Sequence, residues 1–496
     1  MGEGHRIVTG RNGALDGTKP GDVGTMVRDA VSQGRVVLHF HGGLVSEAAG
    51  QRTADRLTTV YTDAGTYPIF MIWQSGLVET IKHNLDEIFA EDLFRSLLRR
   101  VLQFAVGKVW QEEGQRAARV VPTPKTMDVE HALRKREAGT EPYAEETALA
   151  TVTEVAPEEQ DQLVRVLQTD PDLRAAVERV VAERHPETTD SGSRGAVVRR
   201  QASAASLIDP GALDEIDPGA AEAGERGVIS TLAAAKKAAA VLVRVVRRFR
   251  NHDDHGLYPT VVEELLREFY LANAGGAVWA AMKKETLDTF GAPERGGRLL
   301  LDEMARALEE GATRPEITLV GHSTGAVYID NLLAEVVRGT VEGDRAWPDD
   351  VRFRVILLAP AATYPSFGAA LNTTRDLISE CHVFTMTDDA ECADHLVGPA
   401  YPRSLLYLVS GVVERDDLGA SAVVPVIGMN RYRGAAYAER RGLTVGRDFL
   451  TDDRVVLSPS PPDAPPPRRA GALSHGAFDD DQLVLESITH LLRAEP

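Results

Sequence analysis

Cysteine is nearly absent from this chain of 496 residues: only Cys381 and Cys392 occur. A disulfide framework is therefore excluded, and a reducing compartment is the simpler expectation. Long apolar runs are missing as well, and no stretch approaches the roughly 18 uninterrupted apolar residues of a membrane-spanning helix. The first residues, Met1-Gly2-Glu3-Gly4-His5-Arg6, lack the apolar region of a secretory signal and the Ser or Thr at position six of the myristoylation pattern. A cytoplasmic location is the resulting expectation. Basic charge is in deficit: 55 Lys and Arg against 74 Asp and Glu leave a net charge of −19. That balance argues against nucleic acid as a partner, since phosphate binding needs a concentrated basic face. Internal repeats are also lacking. What remains is an ordinary globular composition, 43% hydrophobic and 26% charged, in a chain long enough to bury a substantial core.

Within it, Gly321-His322-Ser323-Thr324-Gly325 is the most informative stretch. Before it, Glu316-Ile317-Thr318-Leu319-Val320 is a β-branched, apolar run that predicts a buried strand. After it, Ala326, Val327, Ile329, Leu332, Leu333, Val336 and Val337 recur at helical spacing. A strand turning directly into a helix pushes the central serine into a strained, exposed position, and glycines flank it because a Cβ there would strike neighbouring backbone. The serine then lies at a helix N-terminus, where free N–H groups favour developing negative charge.

An activated serine needs a base, and the base needs an orienting acid. Arg352 to Ala359 predicts the next buried strand and Cys381 to Met386 another, with Asp388-Asp389 directly behind it. Arg454-Val455-Val456-Leu457 is a last short strand. The stiff proline tract 461–467, then Leu473-Ser474-His475-Gly476 and an amphipathic helix (Leu483, Leu485, Ile488, Leu491, Leu492) follow it. The candidate order is Ser323, Asp388, His475, with Asp389, Glu391 and Asp394 as alternative acids. His395 beside these acids lacks the second histidine or paired cysteine of a metal site. His322 receives no catalytic role.

This arrangement resembles the α/β-hydrolase superfamily, whose triad runs nucleophile, acid, histidine along the chain. A further match lies upstream, where the strand Val36-Val37-Leu38-His39-Phe40 runs into His41-Gly42-Gly43-Leu44, similar to the H-G-G oxyanion loop of lipases and esterases but one glycine shorter than the H-G-G-G form. The resemblance implies a mostly parallel sheet flanked by helices. It also implies an oxyanion site at His41, Gly42, Gly43 and the backbone N–H of Thr324, with no metal or organic cofactor. His39 alternates with His41 along the strand and is expected to pack within the core.

The resemblance covers roughly residues 30–75 and 295–496. Residues 1–77 are expected to form the first part of the core and 291–496 the second, separated by a helical insertion over 78–290. The lead-in ends in a short helix (23–31), a further helix is expected around 51–61, and Tyr67 to Trp73 is a strand. In the insertion, Ile81, Leu85, Ile88, Phe89, Leu93, Leu97, Val101 and Phe104 trace one face of a long helix, either an acyl or partner groove or simply core packing. Residues 186–227 read as a flexible segment, with helices resuming at Thr231. Lys236, Lys237, Arg244, Arg247, Arg248 and Arg250 form a basic amphipathic helix. Such a helix suits peripheral membrane contact through 231–250, an acidic partner, or packing against an otherwise acidic protein. Residues 73–76 and 363–367 follow strand ends and are candidates to line the pocket. The expected function is cleavage of an ester or lipid-like acyl bond. Amide hydrolysis, acyl transfer, or an inactive scaffold binding a partner through the insertion are the alternatives.

Overall fold

Seven strands form one all-parallel sheet in the computed structural model: β1 (Arg6–Thr9), β2 (Arg35–Phe40), β3 (Tyr67–Trp73), β4 (Glu316–His322), β5 (Phe353–Leu358), β6 (Ile378–Met386) and β7 (Val455–Ser458). The structure describes residues 3–43, 47–73, 78–109, 153–185, 204–218, 223–311, 314–342, 347–398, 400–415, 423–440 and 442–494. The strand runs are apolar on both faces because a parallel sheet is covered on both sides. Alternate residues serve opposite layers. Val36, Leu38, Phe40, Met71, Leu319 and Leu357 join one core cluster, while Val37, Phe70, Ile72, Val320, Ile356 and Met386 join the other.

Helices α1 (Pro20–Ser32) and α2 (Glu47–Asp63) belong to the first part of the sheet. Ala54, Leu57 and Tyr61 of α2 close the second layer together with Val484, Ile488, Leu491 and Leu492 of the C-terminal helix Gln482–Arg493. That helix is capped by Asp481, whose side chain accepts from the Val484 amide.

Between β3 and β4 the chain makes a run of helices: α3 (Val78–Ala90), α4 (Asp92–Val109), α5 (Pro157–Gln168), α6 (Pro171–Arg184), α7 (Ala223–Arg250), α8 (Leu257–Phe269), α9 (Ala277–Asp288) and α10 (Gly296–Glu310). The expected long helix is broken at Glu91, whose carboxylate accepts from the Leu93 and Phe94 amides and so starts α4 afresh. Its apolar face is core: Ile81, Leu85, Ile88, Leu93, Leu97 and Val101 are buried. The 186–227 segment falls partly outside the described residues. Its described residues include helices at Ala204–Leu207, at Pro210–Ile216 and from Ala223. Pro210 sits in the first turn of its helix, where its missing N–H costs nothing.

Three of the six basic residues of α7, Lys237, Arg244 and Arg248, turn inward, while Lys236, Arg247 and Arg250 are exposed. Arg248 is 2% exposed and donates to Glu263 at 2.6 Å, while Arg244 reaches Glu264 and Glu268, each at 2.7 Å. Lys237 pairs with Glu215 at 2.7 Å and Glu268 at 2.9 Å, and Arg250 pairs with Glu154. No described helix is long and apolar enough to cross a membrane.

The strand order is β1-β3-β2-β4-β5-β6-β7. From β2 the chain moves to one side and then returns to the other side of β2 as β4, so the order reverses between these two strands. In open parallel sheets the crevice beyond the carboxyl ends at such a reversal is the favoured place for a ligand. The loop after β2 is 41–43, and the turn after β4 is 323–325.

Candidate active site

Ser323 follows β4 and precedes α11 (Gly325–Glu342) with a φ of +53°, the left-handed region that a non-glycine residue enters only under constraint. Two bonds impose it: the Ser323 amide donates to Leu358 O at 2.8 Å, and the Ala361 amide donates to Ser323 O at 3.0 Å. The flanking glycines are required by contact. A Cβ on Gly325 would run into the carbonyl oxygen of Phe40, and one on Gly321 would lie 2.8 Å from the Gly325 carbonyl. Thr324 directly precedes the helix and its carbonyl accepts the first helical bond, from the Tyr328 amide at 3.1 Å, so its own amide has no acceptor within the helix.

The β2 loop reaches the same point from the neighbouring strand. A Cβ on Gly43 would lie 2.8 Å from Thr324 Oγ1 and 2.9 Å from Met282 Sδ of α9, so only glycine lets this backbone come so close. His41 does not face outward to a ligand. Its Nε2 accepts from the Trp73 amide at 3.2 Å, which leaves Nδ1 to donate to Gly42 O at 2.8 Å, and the ring stacks on Trp73 at 4.0 Å. His41 therefore shapes the loop, and burial holds its imidazole down at about 4. Leu44 and residues 74–76 lie outside the described residues. Thr363 caps the helix Tyr364–Thr374 by accepting from the Ser366 amide.

His475 Nε2 lies 2.9 Å from Ser323 Oγ, joining two residues 152 positions apart in the chain. Burial, then the positive field of His322, push the His475 imidazole down to about 3 against the opposing pull of Asp479, so it is a free base at neutral pH. Ser323 and His475 are both buried.

Asp388 is not on the ring of His475. Thr387 caps the helix Asp388–Ala393 directly behind β6, which places Asp388 in a first helical turn where Tyr407 donates to it at 2.7 Å. Glu391 faces the interior and accepts from Ser404 Oγ. Of the carboxylates in 388–394, the one that hydrogen-bonds His475 among the described residues is Asp394, the residue just after this helix. Its Oδ2 accepts from the backbone amide of His475 at 2.8 Å. Nδ1 of His475 is buried without a hydrogen-bond partner.

Two residues with no catalytic role expected from the sequence complete the surroundings: His322, and Asp479, a candidate with Asp480 and Asp481 to cap the C-terminal helix, a place that Asp481 takes. His322 Nε2 lies 2.9 Å from the carbonyl oxygen of His475, and its Nδ1 lies 3.6 Å from Asp479 Oδ2. The only sequence signals were adjacency: His322 precedes the serine, and Asp479 follows His475 by one helical turn. His39 is buried and bonds Tyr61 Oη at 3.0 Å, as its core placement implied. Among the described residues no group of three or more His, Cys, Asp or Glu is placed to hold a metal ion.

The arrangement joins a strained serine, a neutral imidazole in hydrogen-bond contact and a glycine loop close against the turn. Such a set can deprotonate a hydroxyl as it attacks an electrophilic carbon. No family model, curated protein or solved structure matches the chain.

Proposed function

We propose that this protein is a serine hydrolase of the α/β-hydrolase kind that cleaves an ester or lipid-like acyl bond through an acyl-enzyme intermediate. The observation that carries the reading is the 2.9 Å contact between Ser323 Oγ and His475 Nε2, made by a serine held at positive φ between strand and helix. In this mechanism His475 takes the proton of Ser323 as the hydroxyl attacks the carbonyl carbon. Amides of the 42–43 loop and of Thr324 stabilise the oxyanion, each such donor being worth about 100- to 1000-fold in turnover. The protonated His475 then gives its proton to the leaving alkoxide, and water, deprotonated by His475, releases the acid. Asp394 replaces Asp388 as the carboxylate associated with the base, through the backbone amide.

The unpartnered Nδ1 of His475 favours a second reading, an inactive scaffold that binds a partner through the helical insertion. Turnover of 4-nitrophenyl esters of increasing acyl length separates the two. The hydrolase reading predicts turnover that falls by at least about 1000-fold in Ser323→Ala and in His475→Ala. Equal rates in wild type and both variants, or none in folded wild type, would favour the scaffold.

A further inference from the structure

We propose that His322, paired with Asp479, is a positioning residue that holds the base by its main chain: His322 binds the carbonyl of His475 while Asp394 binds its amide. This rests on the serine hydrolase reading and explains how His475 can be oriented with no acid on its ring.

A carbonyl oxygen only accepts, so the 2.9 Å contact between His322 Nε2 and His475 O requires the proton on Nε2. The other nitrogen, Nδ1, then faces Asp479 Oδ2 at 3.6 Å either as a lone pair, which the carboxylate repels, or as a second N–H, which it attracts. The attractive arrangement is an imidazolium–carboxylate pair at ion-pair distance. Burial is the largest single influence on His322 and opposes its charge, but the Asp479 carboxylate, the His475 carbonyl and Asp480 together outweigh it, so the imidazole is raised above its ordinary 6.5. Asp479 is itself held at about 2 against its own burial, chiefly by His322, with Arg56 adding to the effect.

The groups around the pair agree with this state. From β2 and its loop, His39 and His41 are held down at about 3 and about 4, so they add no positive charge at neutral pH. From α2, Arg56 donates to the Asp479 carbonyl at 3.0 Å and pairs with Asp480, and Tyr61 of the same helix lies within the field of Asp479. From the C-terminal loop come Asp479, Asp480 and His475 itself. The pair is net neutral, and Asp479 offsets part of the field by which His322 disfavours an imidazolium on His475. It also spans the two catalytic side chains: His322 is bonded in sequence to Ser323 and hydrogen-bonded to the residue that Ser323 needs.

The pH dependence follows in sign. The clamp is complete while His322 carries both protons and is lost as pH rises through its raised value, because Nδ1 then turns a lone pair to a carboxylate that stays ionised throughout. The test is the rate of fluorophosphonate labelling of Ser323 across pH 5 to 10, with ester turnover measured in parallel. Wild type is expected to show an alkaline limb above 6.5. Asp479→Asn moves that limb to lower pH. His322→Asn, which keeps a neutral N–H for the carbonyl, retains much of the rate and loses the limb. His322→Ala lowers kcat on the order of 100-fold, with KM nearly unchanged. Thermal melts identify any variant that fails to fold, in which case the Asn variants decide. Wild-type pH profiles in both Asn variants would overturn the proposal while leaving the hydrolase reading intact. Failure of folded wild type to label at Ser323 would instead remove that reading, and the proposal with it.

Discussion

At the scale of single residues, the strain at Ser323 amounts to about 1–3 kcal/mol that the surrounding bonds must offset. It is sustained because strand β2 leaves no room for a side chain at position 325. Gly325→Ala drives a Cβ into the Phe40 carbonyl, a backbone atom that cannot move without disturbing the β2–β4 pairing. We expect this variant to lose about 3 kcal/mol or more in urea unfolding; a loss below about 0.5 kcal/mol would contradict the packing described. Gly43→Ala meets side chains, Thr324 Oγ1 and Met282 Sδ, rather than backbone. Its expected effect is a drop in turnover larger than its drop in stability, read by comparing ester hydrolysis with thermal unfolding. The serine and its glycines were legible in the sequence because the constraint is local, a strand, a turn and a helix in consecutive residues. The acid was not. Which carboxylate among 388–394 reaches the histidine depends on where the Thr387 cap starts a helix, and that rotation turned Asp388 toward Tyr407. His322 and Asp479 were invisible as a pair because 157 residues separate them and only the fold brings them together.

At the scale of elements, the strands after β1 were readable from their uninterrupted apolar runs, as befits a sheet covered on both faces. Strand β1, Arg6-Ile7-Val8-Thr9, was missed because four residues in a glycine-rich lead-in carry little pattern. It is a strand by virtue of its parallel register with Phe70 to Trp73 of β3. The insertion shows the same limit. Its basic helix α7 was legible, yet the partner of those charges was not, since Glu263, Glu264 and Glu268 lie on α8. The Arg248–Glu263 pair is fully enclosed and is joined by His255 Nδ1 at 2.9 Å and Tyr401 Oη at 2.7 Å, which ties the insertion to the segment after β6. Glu263→Ala removes the shared acceptor and leaves the buried Arg248 guanidinium with Glu264 at 3.3 Å and the Asp253 carbonyl at 3.2 Å, with an expected cost of about 3 kcal/mol. Equilibrium urea unfolding measures it; near-wild-type stability would mean that the network is not closed as described.

At the scale of the whole molecule, the reversal of strand order between β2 and β4 is what unites two motifs separated by nearly three hundred residues. The glycine loop and the serine turn leave adjacent parallel strands at the same edge, and the last loop returns His475 to that edge. The net charge is −19, and Lys237, Arg244 and Arg248 of the main basic stretch are spent on pairs with acidic side chains of the same molecule. Co-sedimentation with phosphatidylserine-rich vesicles at physiological salt is accordingly expected to stay at background. Binding that depends on Lys237 and Arg244 in the folded protein would show that α7 instead offers its basic face outward.

The central claim is that Ser323 is a nucleophile activated by His475. Its most direct test is intact-mass measurement of the protein after a fluorophosphonate reaction, followed by peptide mapping. The account predicts a single adduct, located on the peptide containing Ser323, absent from Ser323→Ala and slowed at least about 1000-fold in His475→Ala. An unmodified wild type that is shown to be folded, or an adduct on a different serine, would contradict it.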